Sequence, residues 1–316
     1  MCTKPQKIQP YDYDSEGDSV VHRISAGDII VQIVLILLSL MCLIPFALIV
    51  ISSFTEETCL KMNGYSFFPE KWSVFAYSYV LSGNAGKVMH GYVVSILVTV
   101  VGTFVSILLT VLYAYPLSRE DLPGRNGISF FVFFTMLFHG GLVPSYMMWT
   151  QMFHIKNTYA ALIIPNLLLN SFYIIMMRTY FSSTIPTEIL DACRIDGGSE
   201  SRCLFSIVLP LSKPMLATLG FMTALGYWND WLNGLYFVSD TNYYSIQNIL
   251  NRMLLDIQFL ASAAASQVNG GDLAAHIPST GVRMSVAVLG LLPILVAYPF
   301  FQKYLVKGIM IGGVKG

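Results

Sequence analysis

Long apolar runs constrain the fold of this chain more than any other feature. Each is near the ~20 residues that a helix needs to cross a hydrocarbon core about 30 Å thick. In that core no water satisfies open backbone groups, so each run is expected to be helical, and the ten-residue alternation of barrel strands is absent. The sequence therefore predicts an all-α polytopic membrane protein with six transmembrane helices, at about 28–51, 91–117, 128–150, 159–180, 215–238 and 282–306.

Composition supports a membrane protein and excludes several other classes. Hydrophobic residues make up 55% of the 316 residues and charged residues only 11%, whereas a soluble domain carries roughly a quarter. Eighteen basic and eighteen acidic residues balance, so no basic excess points to nucleic acid. The five cysteines lack CxxC spacing and predict neither a disulfide framework nor a metal site. They are Cys2, Cys42, Cys59, Cys193 and Cys203.

The loops predict an orientation. Residues 1–27 form a polar, charged segment, expected to be a cytoplasmic tail rather than a cleavable signal peptide. This tail, the 118–127 loop, the 178–214 loop and the C-terminal end together hold twelve Lys and Arg residues, against six in the opposite loops. Basic residues accumulate on the cytoplasmic side, so both termini are predicted to be cytoplasmic, with residues 28–316 as the transmembrane domain.

A polar insert, TIPTEILDACRIDGGSESRCLFSIVLPLSKP at 184–214, separates the fourth and fifth predicted spans. Pro186 to Glu188 is suitable for a helix start, and the Gly197-Gly198 pair favours a helix end. A second short helix is predicted from Ser199 to Leu209, ending at Pro210. The insert is therefore expected to form a compact helix–turn–helix protrusion, a shape suited to a partner's cleft.

An amphipathic segment precedes the last span. Apolar residues recur at helical spacing over 246–257, which predicts a helix. Its apolar face could lie in the headgroup plane or against the other helices.

The insert resembles a known motif. DACRIDGG followed by FSIVLP is similar to the "EAA" loop of ABC importer permeases, with Asp, Cys and Gly replacing the usual Glu, Ala and Ala at 191, 193 and 198. In that family the loop is the coupling helix, which docks on the ATP-hydrolysing subunit. The resemblance assigns ATPase coupling to Glu188, Asp191, Ala192, Cys193, Asp196, Gly197, Gly198 and Pro210.

Other segments resemble the carbohydrate branch of these permeases, the branch that includes the smaller maltose permease subunit. They are AYPLSREDLPGR at 114–125, LVPSYMMWTQMFHIKNTYAALIIPN at 142–166, YWNDWLNGLYF at 227–237 and PFFQKYLVKGIMIGGVKG at 299–316. Their order along nearly the whole chain matches that branch. Within it, the resemblance is to permeases for oligosaccharides or sugar-acid oligomers in Gram-positive bacteria.

This resemblance implies a transport subunit in a bacterial cell membrane, with no catalytic residues. The implied partners are a second permease, a dimer of ATP-binding subunits, an extracytoplasmic sugar-binding lipoprotein, the sugar and membrane lipid. The sequence contains no G-x-x-x-x-G-K-[ST] phosphate loop, so ATP and Mg²⁺ are expected on the partner ATPase and no cofactor in this chain.

Polar and aromatic residues in or beside the spans are the candidates for pore or substrate contact, because polar groups in a membrane tend to face a cavity or each other. Amides and carboxylates can bond sugar hydroxyls, and aromatic rings can stack on sugar C–H faces. The candidates are His139, Asn166, Asn170, Tyr173, Trp228, Asn229 and Asp230.

Two other classes remain as alternatives. A membrane enzyme would need a nucleophile–base pair or a metal motif, and HExxH and GxSxG are both absent. A stand-alone channel or secondary carrier would favour charges deep within the spans, which are nearly uncharged. Among ABC importers, a permease for amino acids, peptides or another small solute is the alternative substrate class.

Overall fold

A computed structural model describes residues 26–82, 85–266 and 280–313. In these ranges the chain is helical apart from turns, loops and one isolated bridge between Thr55 and Trp72, which confirms the all-α fold. Residues 1–25, the bulk of the predicted tail, lie outside the described ranges. The chain divides into two compact units, residues 1–47 and 48–316.

The first unit contains most of α1 (Ala26–Ser53), which covers the predicted run 28–51. Residues 29–53 of this helix are long and apolar enough to cross a membrane. Pro45 lies inside the helix, where its missing N–H leaves one backbone carbonyl without its usual partner.

Two short helices follow in the second unit, α2 (Glu57–Asn63) and α3 (Phe75–Leu81). Glu57 of α2 accepts hydrogen bonds from the backbone N–H groups of Thr280 (3.0 Å) and Gly281 (2.8 Å). These two donors begin the last helix, so a carboxylate from α2 satisfies N–H groups that a helix start leaves open.

The long helix α4 (Ala85–Ser118) is the axis of the second unit. It packs against α8 (Ser171–Thr184) and α12 (Lys213–Asn229), and α12 packs in turn against α15 (Thr280–Gly313). One buried core surrounds the C-terminal half of α4, and a second surrounds its N-terminal half.

Small residues on α4 let its neighbours approach closely. A Cβ atom at Gly102 would lie 2.6 Å from the ring of Tyr227 on α12, so only glycine fits there. The Tyr227 hydroxyl donates to the carbonyl of Ile163 in α7 (Tyr159–Ile163) over 3.0 Å. Small residues serve the same purpose in other membrane helix pairs, where close backbone approach supplies the packing energy.

Three predicted spans are not single helices. The run 128–150 divides into α5 (Arg125–Leu137) and α6 (Leu142–Met147) with its π-helical end (Met148–Met152), and these parts meet at 110°. The run 159–180 divides into α7 and α8 around Pro165 and Asn166, and Asn166 has a left-handed φ of 63°.

The run 215–238 also breaks, between α12 and α13 (Leu232–Phe237). Asp230 lies at this break and leaves the helical conformation, with φ −73° and ψ 114°. Three described helices are long and apolar enough to cross a membrane, or up to five if each bent pair is one span, so six crossings stay a prediction.

The amphipathic segment forms α14 (Ile246–Ser266), after a 3₁₀ turn at Thr241–Tyr243. Its apolar face, including Ile246, Ile249, Leu250 and Ile257, is buried against α4 and α15. The backbone N–H of Ile246 donates to the hydroxyl of Ser95 on α4 over 2.8 Å. The sequence left two positions possible for this helix, in the headgroup plane or against the other helices. The structure shows the second.

Candidate coupling element and outer cavity

The polar insert forms a helix–turn–helix unit, here called the coupling element (residues 187–211). Its first helix is α9 (Thr187–Ile195), with Pro186 at the N-cap, and its second is α10 (Glu200–Cys203). A π-helical turn (Leu204–Val208) and the short α11 (Leu209–Leu211) complete it before an 83° bend into α12. Pro210 lies inside α11, so the helical segment ends at Leu211 and not at Pro210 as predicted.

The turn between the two helices depends on Gly197. Its φ is 76°, in the left-handed region that side chains other than glycine adopt only at a cost. Gly198 follows, and its N–H donates to the carbonyl of Cys193 over 2.8 Å. Ser199 then caps α10 by accepting from the N–H of Arg202. The predicted glycine turn is therefore present, at the predicted residues.

A disulfide joins Cys193 of α9 to Cys203 of α10, and this corrects the expectation that the cysteines form no disulfide. Ten residues separate the two in sequence, but the turn brings their Cα atoms to 6.2 Å, within the range a disulfide allows. Both side chains are buried, 8% and 1% exposed. Spacing in the sequence could not show the pairing, because the pairing depends on how the two helices fold together.

Arg194 holds the coupling element together by ion pairs. Its guanidinium donates to Glu200 Oε1 (2.7 Å) on α10 and to Asp121 Oδ2 (2.9 Å) in the loop after α4. Asp191, one turn earlier on α9, lies 3.7 Å away. Arg119 also pairs with Asp121, at 3.3 Å. One planar guanidinium therefore joins three carboxylates from three segments, an arrangement that lysine could not reproduce.

A hydrogen bond connects the element to the core of the molecule. The hydroxyl of Tyr115, on α4, donates to Glu200 Oε2 over 2.7 Å. Two residues after Tyr115, the carbonyl of Leu117 accepts hydrogen bonds from Arg125 and Arg178, each over 3.0 Å. These cations satisfy an otherwise open carbonyl at the end of α4, where the helix dipole is negative. The end of α4 and the coupling element are thereby fixed to each other.

The same contacts shift the carboxylate pKa values. The hydrogen bond from Tyr115, and then the one from Arg194, hold the pKa of Glu200 below its usual range. Hydrogen bonds from Arg194 and then Arg119 lower the pKa of Asp121. Contact with Glu200 and Asp121 raises the pKa of Arg194. All three groups are therefore charged at neutral pH, as an ion-pair network requires.

One side of α9 is exposed, here called its open side. Its exposed side chains mix charge and apolar surface, and Ile195 is 86% exposed at the end of the helix. On the opposite side Leu190 and Cys193 are buried against the core. The exposed residues include the predicted coupling residues Glu188, Asp191, Ala192, Asp196 and Gly197.

Three of the predicted substrate candidates have partners within the chain. Asn170 caps α8 by accepting from the N–H groups of Phe172 and Tyr173. Asp230 caps α13 by accepting from the N–H groups of Leu232 and Asn233. The buried indole of Trp228 donates to the carbonyl of Gly290 over 3.0 Å. Capping and packing account for these three polar groups.

The other four candidates are not brought together. His139 is exposed at the break between α5 and α6, and Asn166 is exposed at the break before α8. Tyr173 is half-buried against the core around the C-terminal half of α4. Asn229 ends α12 and lines a cavity with residues of α14 and α15. The substrate candidates therefore do not form one site.

This cavity, here called the outer cavity, has a volume of about 340 Å³. It contains polar residues that the sequence interpretation missed. Arg283 could have been found from the sequence, because a cation one turn inside an apolar helix is unusual. The sequence interpretation counted it among the loop residues instead. The lining residues are Asn229, Trp231, Gln247, Leu250, Asn251, Leu254, Arg283, Val286, Ala287, Gly290, Leu291 and Ile294.

The described residues combine apolar helices long enough to cross a membrane with an ion-paired helix–turn–helix unit beside the core. Residues 28–311 match the family of binding-protein-dependent transport system inner membrane components, and the chain belongs to this family.

Curated relatives are similar over most of their length. Protein LplC of Bacillus subtilis is 36% identical over 274 residues, which cover 87% of this chain and 90% of LplC. The polygalacturonan/rhamnogalacturonan transport system permease protein YtcP of the same organism is 32% identical over 289 residues. These residues cover 92% of this chain and 98% of YtcP.

A solved structure is also similar. It belongs to a bacterial ABC transporter involved in the import of the acidic polysaccharide alginate, and the TM-score is 0.72 at 27% identity. The match covers 89% of this chain and 98% of the matched chain. The fold of this chain is therefore that of an ABC transporter membrane subunit.

Proposed function

We propose that this chain is one of two non-identical membrane subunits of an ATP-driven, binding-protein-dependent oligosaccharide importer. In this proposal it forms half of the translocation pore. A second permease, a dimer of ATP-binding subunits and an extracytoplasmic sugar-binding lipoprotein complete the assembly, and ATP and Mg²⁺ bind to the ATPase. The transport names of its relatives support the proposal.

The observation that carries the proposal is the anchored coupling element. Its open side presents Ile195, 86% exposed, beside the carboxylates of Glu188 and Asp191. Ile189 of the same helix is also exposed, at 39%, so the open side of α9 presents apolar surface among charged groups, which a partner's cleft would cover. Its other side is tied to α4 through Glu200 and Tyr115. A partner that moves α9 would therefore also pull on α4, a 34-residue helix of the core.

This geometry supports a mechanism of energy transfer. We infer that the ATPase subunit binds α9 at the cytoplasmic face, with both termini of this chain on the same side. Closure of the ATPase dimer displaces the coupling element as a unit, because Arg194 joins α9, α10 and the loop after α4. The displacement reaches α4 and α12 and changes which side of the membrane the pore opens to.

The test is affinity purification from native membranes in mild detergent with a tag at the C-terminus. We expect a second permease, an ATPase and a lipoprotein to copurify, and the lipoprotein to bind oligosaccharides. The Ile195→Asp variant should lose the ATPase and retain the second permease, because it places a charge on the proposed docking surface. The Phe68→Asp variant is the control, since Phe68 is also exposed, at 91%, but far from the coupling element in sequence. Purification of this chain alone with intact uptake would contradict the proposal.

A further inference from the structure

The outer cavity is formed by facing sides of two helices and the end of a third. From α14 it takes Gln247, Leu250, Asn251 and Leu254, which follow each other at intervals of three and four residues. From α15 it takes a matching row that begins at Arg283. Asn229 and Trp231 close it at the end of α12. Its volume of about 340 Å³ lies within the range of small-molecule sites in proteins.

Four polar side chains in this cavity have no partner among the described residues. Asn229, Gln247, Asn251 and Arg283 form no side-chain hydrogen bond or ion pair there. These residues come from three helices and line the same cavity. Asn229 and Arg283 are exposed, and Gln247 and Asn251 are partly exposed, so all four side chains are available to water or to a ligand.

Two polar side chains elsewhere on α14 do form bonds within the chain. Asn248 is buried, and its amide accepts from Arg252 Nε over 3.0 Å and donates to the carbonyl of Trp231 over 3.4 Å. The guanidinium of Arg252 also lies 4.3 Å above the ring of Tyr244. Asn248 and Arg252 are thus bonded within the chain, whereas the four polar side chains that line the cavity are not.

The charge of the cavity is positive. Arg283 is exposed to it, and none of its lining residues is acidic. Arg283 lies one turn into α15, a helix apolar enough to cross a membrane. A cation in such a position is expensive unless it faces water or a counter-ion. The cavity therefore favours a ligand that carries an anionic group.

We propose that the outer cavity binds a uronic-acid unit of the transported oligosaccharide, and that Arg283 recognises its carboxylate. A guanidinium binds a carboxylate through two parallel hydrogen bonds. The amides of Asn229, Gln247 and Asn251 supply donors and acceptors for the ring hydroxyls. The indole of Trp231, 39% exposed, offers an apolar surface to the C–H face of the sugar. This inference rests on the proposed function and names its substrate class.

The experiment uses the whole assembly, with its lipoprotein, in proteoliposomes loaded with ATP. The substrates are trigalacturonate, its fully methyl-esterified form and a neutral trisaccharide. Esterification removes the charge and leaves the ring hydroxyls in place. We expect the wild-type assembly to import the acid, and Arg283→Gln to raise its KM roughly 10- to 100-fold, the range for a charge-assisted pair. Uptake of the methyl ester should change less than about twofold.

Three further variants sharpen the test. Arg283→Lys keeps the charge and should restore part of the affinity for the acid. Asn251→Asp places an anion in the cavity with almost no change of shape, and should weaken uptake of the acid alone. The control is Lys87→Gln, which removes an exposed cation at the start of α4, outside the cavity. It should leave the KM of both substrates unchanged.

The remaining outcomes overturn the inference in distinguishable ways. If Arg283→Gln weakens uptake of the acid and the ester equally, Arg283 serves assembly or folding instead of carboxylate recognition. If the wild type imports the neutral trisaccharide and rejects the acid, the cavity does not select uronates, and the proposed oligosaccharide function stands. If it imports none of the three while it imports a peptide, both the inference and the proposed function are wrong.

Discussion

Tyr115 on α4 donates its hydroxyl hydrogen to Glu200 of the coupling element over 2.7 Å. The two residues are 85 positions apart in sequence, and the bond joins α4, a 34-residue core helix, to the unit that we propose binds the ATPase. It is a hydrogen bond to a charged acceptor, a class that is stronger than the bond between neutral groups. It is therefore a direct path by which movement of the element can reach the core.

Removal of this bond should weaken coupling more than assembly. In Tyr115→Phe the ring keeps its packing and loses only the donor. Because Glu200 is half exposed, we expect a cost of about 1 kcal/mol, or roughly a fivefold drop in substrate transported per ATP hydrolysed. The measurement is uptake and ATP hydrolysis on the same proteoliposomes. The control is Tyr113→Phe, an exposed tyrosine on the same helix, which should behave as wild type. An unchanged ratio in Tyr115→Phe would remove this bond from the coupling path.

Arg194 should be more important for the order of the coupling element than any other basic residue in it. Arg194→Ala leaves the carboxylates of Asp121, Asp191 and Glu200 close together without their shared cation. We expect amide hydrogen exchange over residues 188–203 to become roughly tenfold faster, equivalent to about 1.4 kcal/mol. Arg194→Lys should recover only part of the protection, because an ammonium cannot form the same forked contacts.

The matched control for that experiment is Arg202→Ala. Arg202 is exposed on α10, and no described residue forms an ion pair with its side chain. Exchange in this variant should match the wild type within error. Equal acceleration in the Arg202 and Arg194 variants would mean that total charge, and not the network, orders the element.

The lowered carboxylate pKa values predict how the network responds to acid. Asp121 and Glu200 both titrate below their usual range, mainly through hydrogen bonds from Arg194 and Tyr115 respectively. A carboxylate of this kind stabilises the folded element above its unfolded pKa of about 4, and the contribution is lost as the pH falls through the lower folded value.

After correction for intrinsic exchange rates, protection of residues 188–203 should therefore be constant from pH 8 to pH 5. It should fall only below about pH 4. In Arg194→Ala the fall should begin at higher pH, because the carboxylates then lack their cation. A transition near pH 6 in the wild type would show that a group outside this network controls the element.

The sequence predicted the parts of the coupling element that depend on local chemistry. The start of α9 at Thr187 and the turn at Gly197 follow from residue types alone. A proline is suited to a helix start because it has no N–H to leave open, and few side chains other than glycine tolerate a left-handed φ. The Cys193–Cys203 pair and the Tyr115–Glu200 bond were missed. Both join residues whose distance depends on the packing of whole helices, and a single sequence carries no signal for that.

The breaks in the spans and the outer cavity were also missed, because both depend on how whole helices pack. Apolar runs predicted where helices occur, but hydropathy did not register the backbone breaks near Gly141 and Asn166. The candidates Asn170 and Asp230 were chosen as polar residues near spans, yet Asn170 caps α8 after the break at Asn166, and Asp230 caps α13 after the break at the end of α12. Gln247 and Arg283 were not chosen, because their convergence requires α14 to fold back against α15.

The buried cysteine pair predicts a specific pattern of thiol reactivity. Cys193 and Cys203 are 8% and 1% exposed, whereas Cys59, on the short helix α2, is partly exposed. After reduction, a membrane-permeant maleimide should label Cys59 readily, and the pair only after denaturation. Mass spectrometry of the peptides measures both. Rapid labelling of Cys203 in the reduced native protein would show that the disulfide, and not packing with Leu190 and Leu204, keeps the two helices together.

The glycine turn gives the sharpest test of whether the coupling element must be rigid. Gly197→Val places a β-branched residue at φ 76°, where we expect a cost of about 1–2 kcal/mol. Nothing lies within 4 Å of the new Cβ, so the effect comes from the backbone and not from a steric clash. We expect normal insertion and assembly, with transport per ATP reduced severalfold.

Gly127→Val is the control for the glycine turn. Gly127 lies in α5, also with open space at its Cβ position, but its φ is helical, so valine should be tolerated there. The measurement is uptake and ATP hydrolysis on assemblies purified through a tag on the second permease. Normal uptake by Gly197→Val would mean that the turn can distort without loss of coupling. The element would then transmit force through the Arg194 contacts alone.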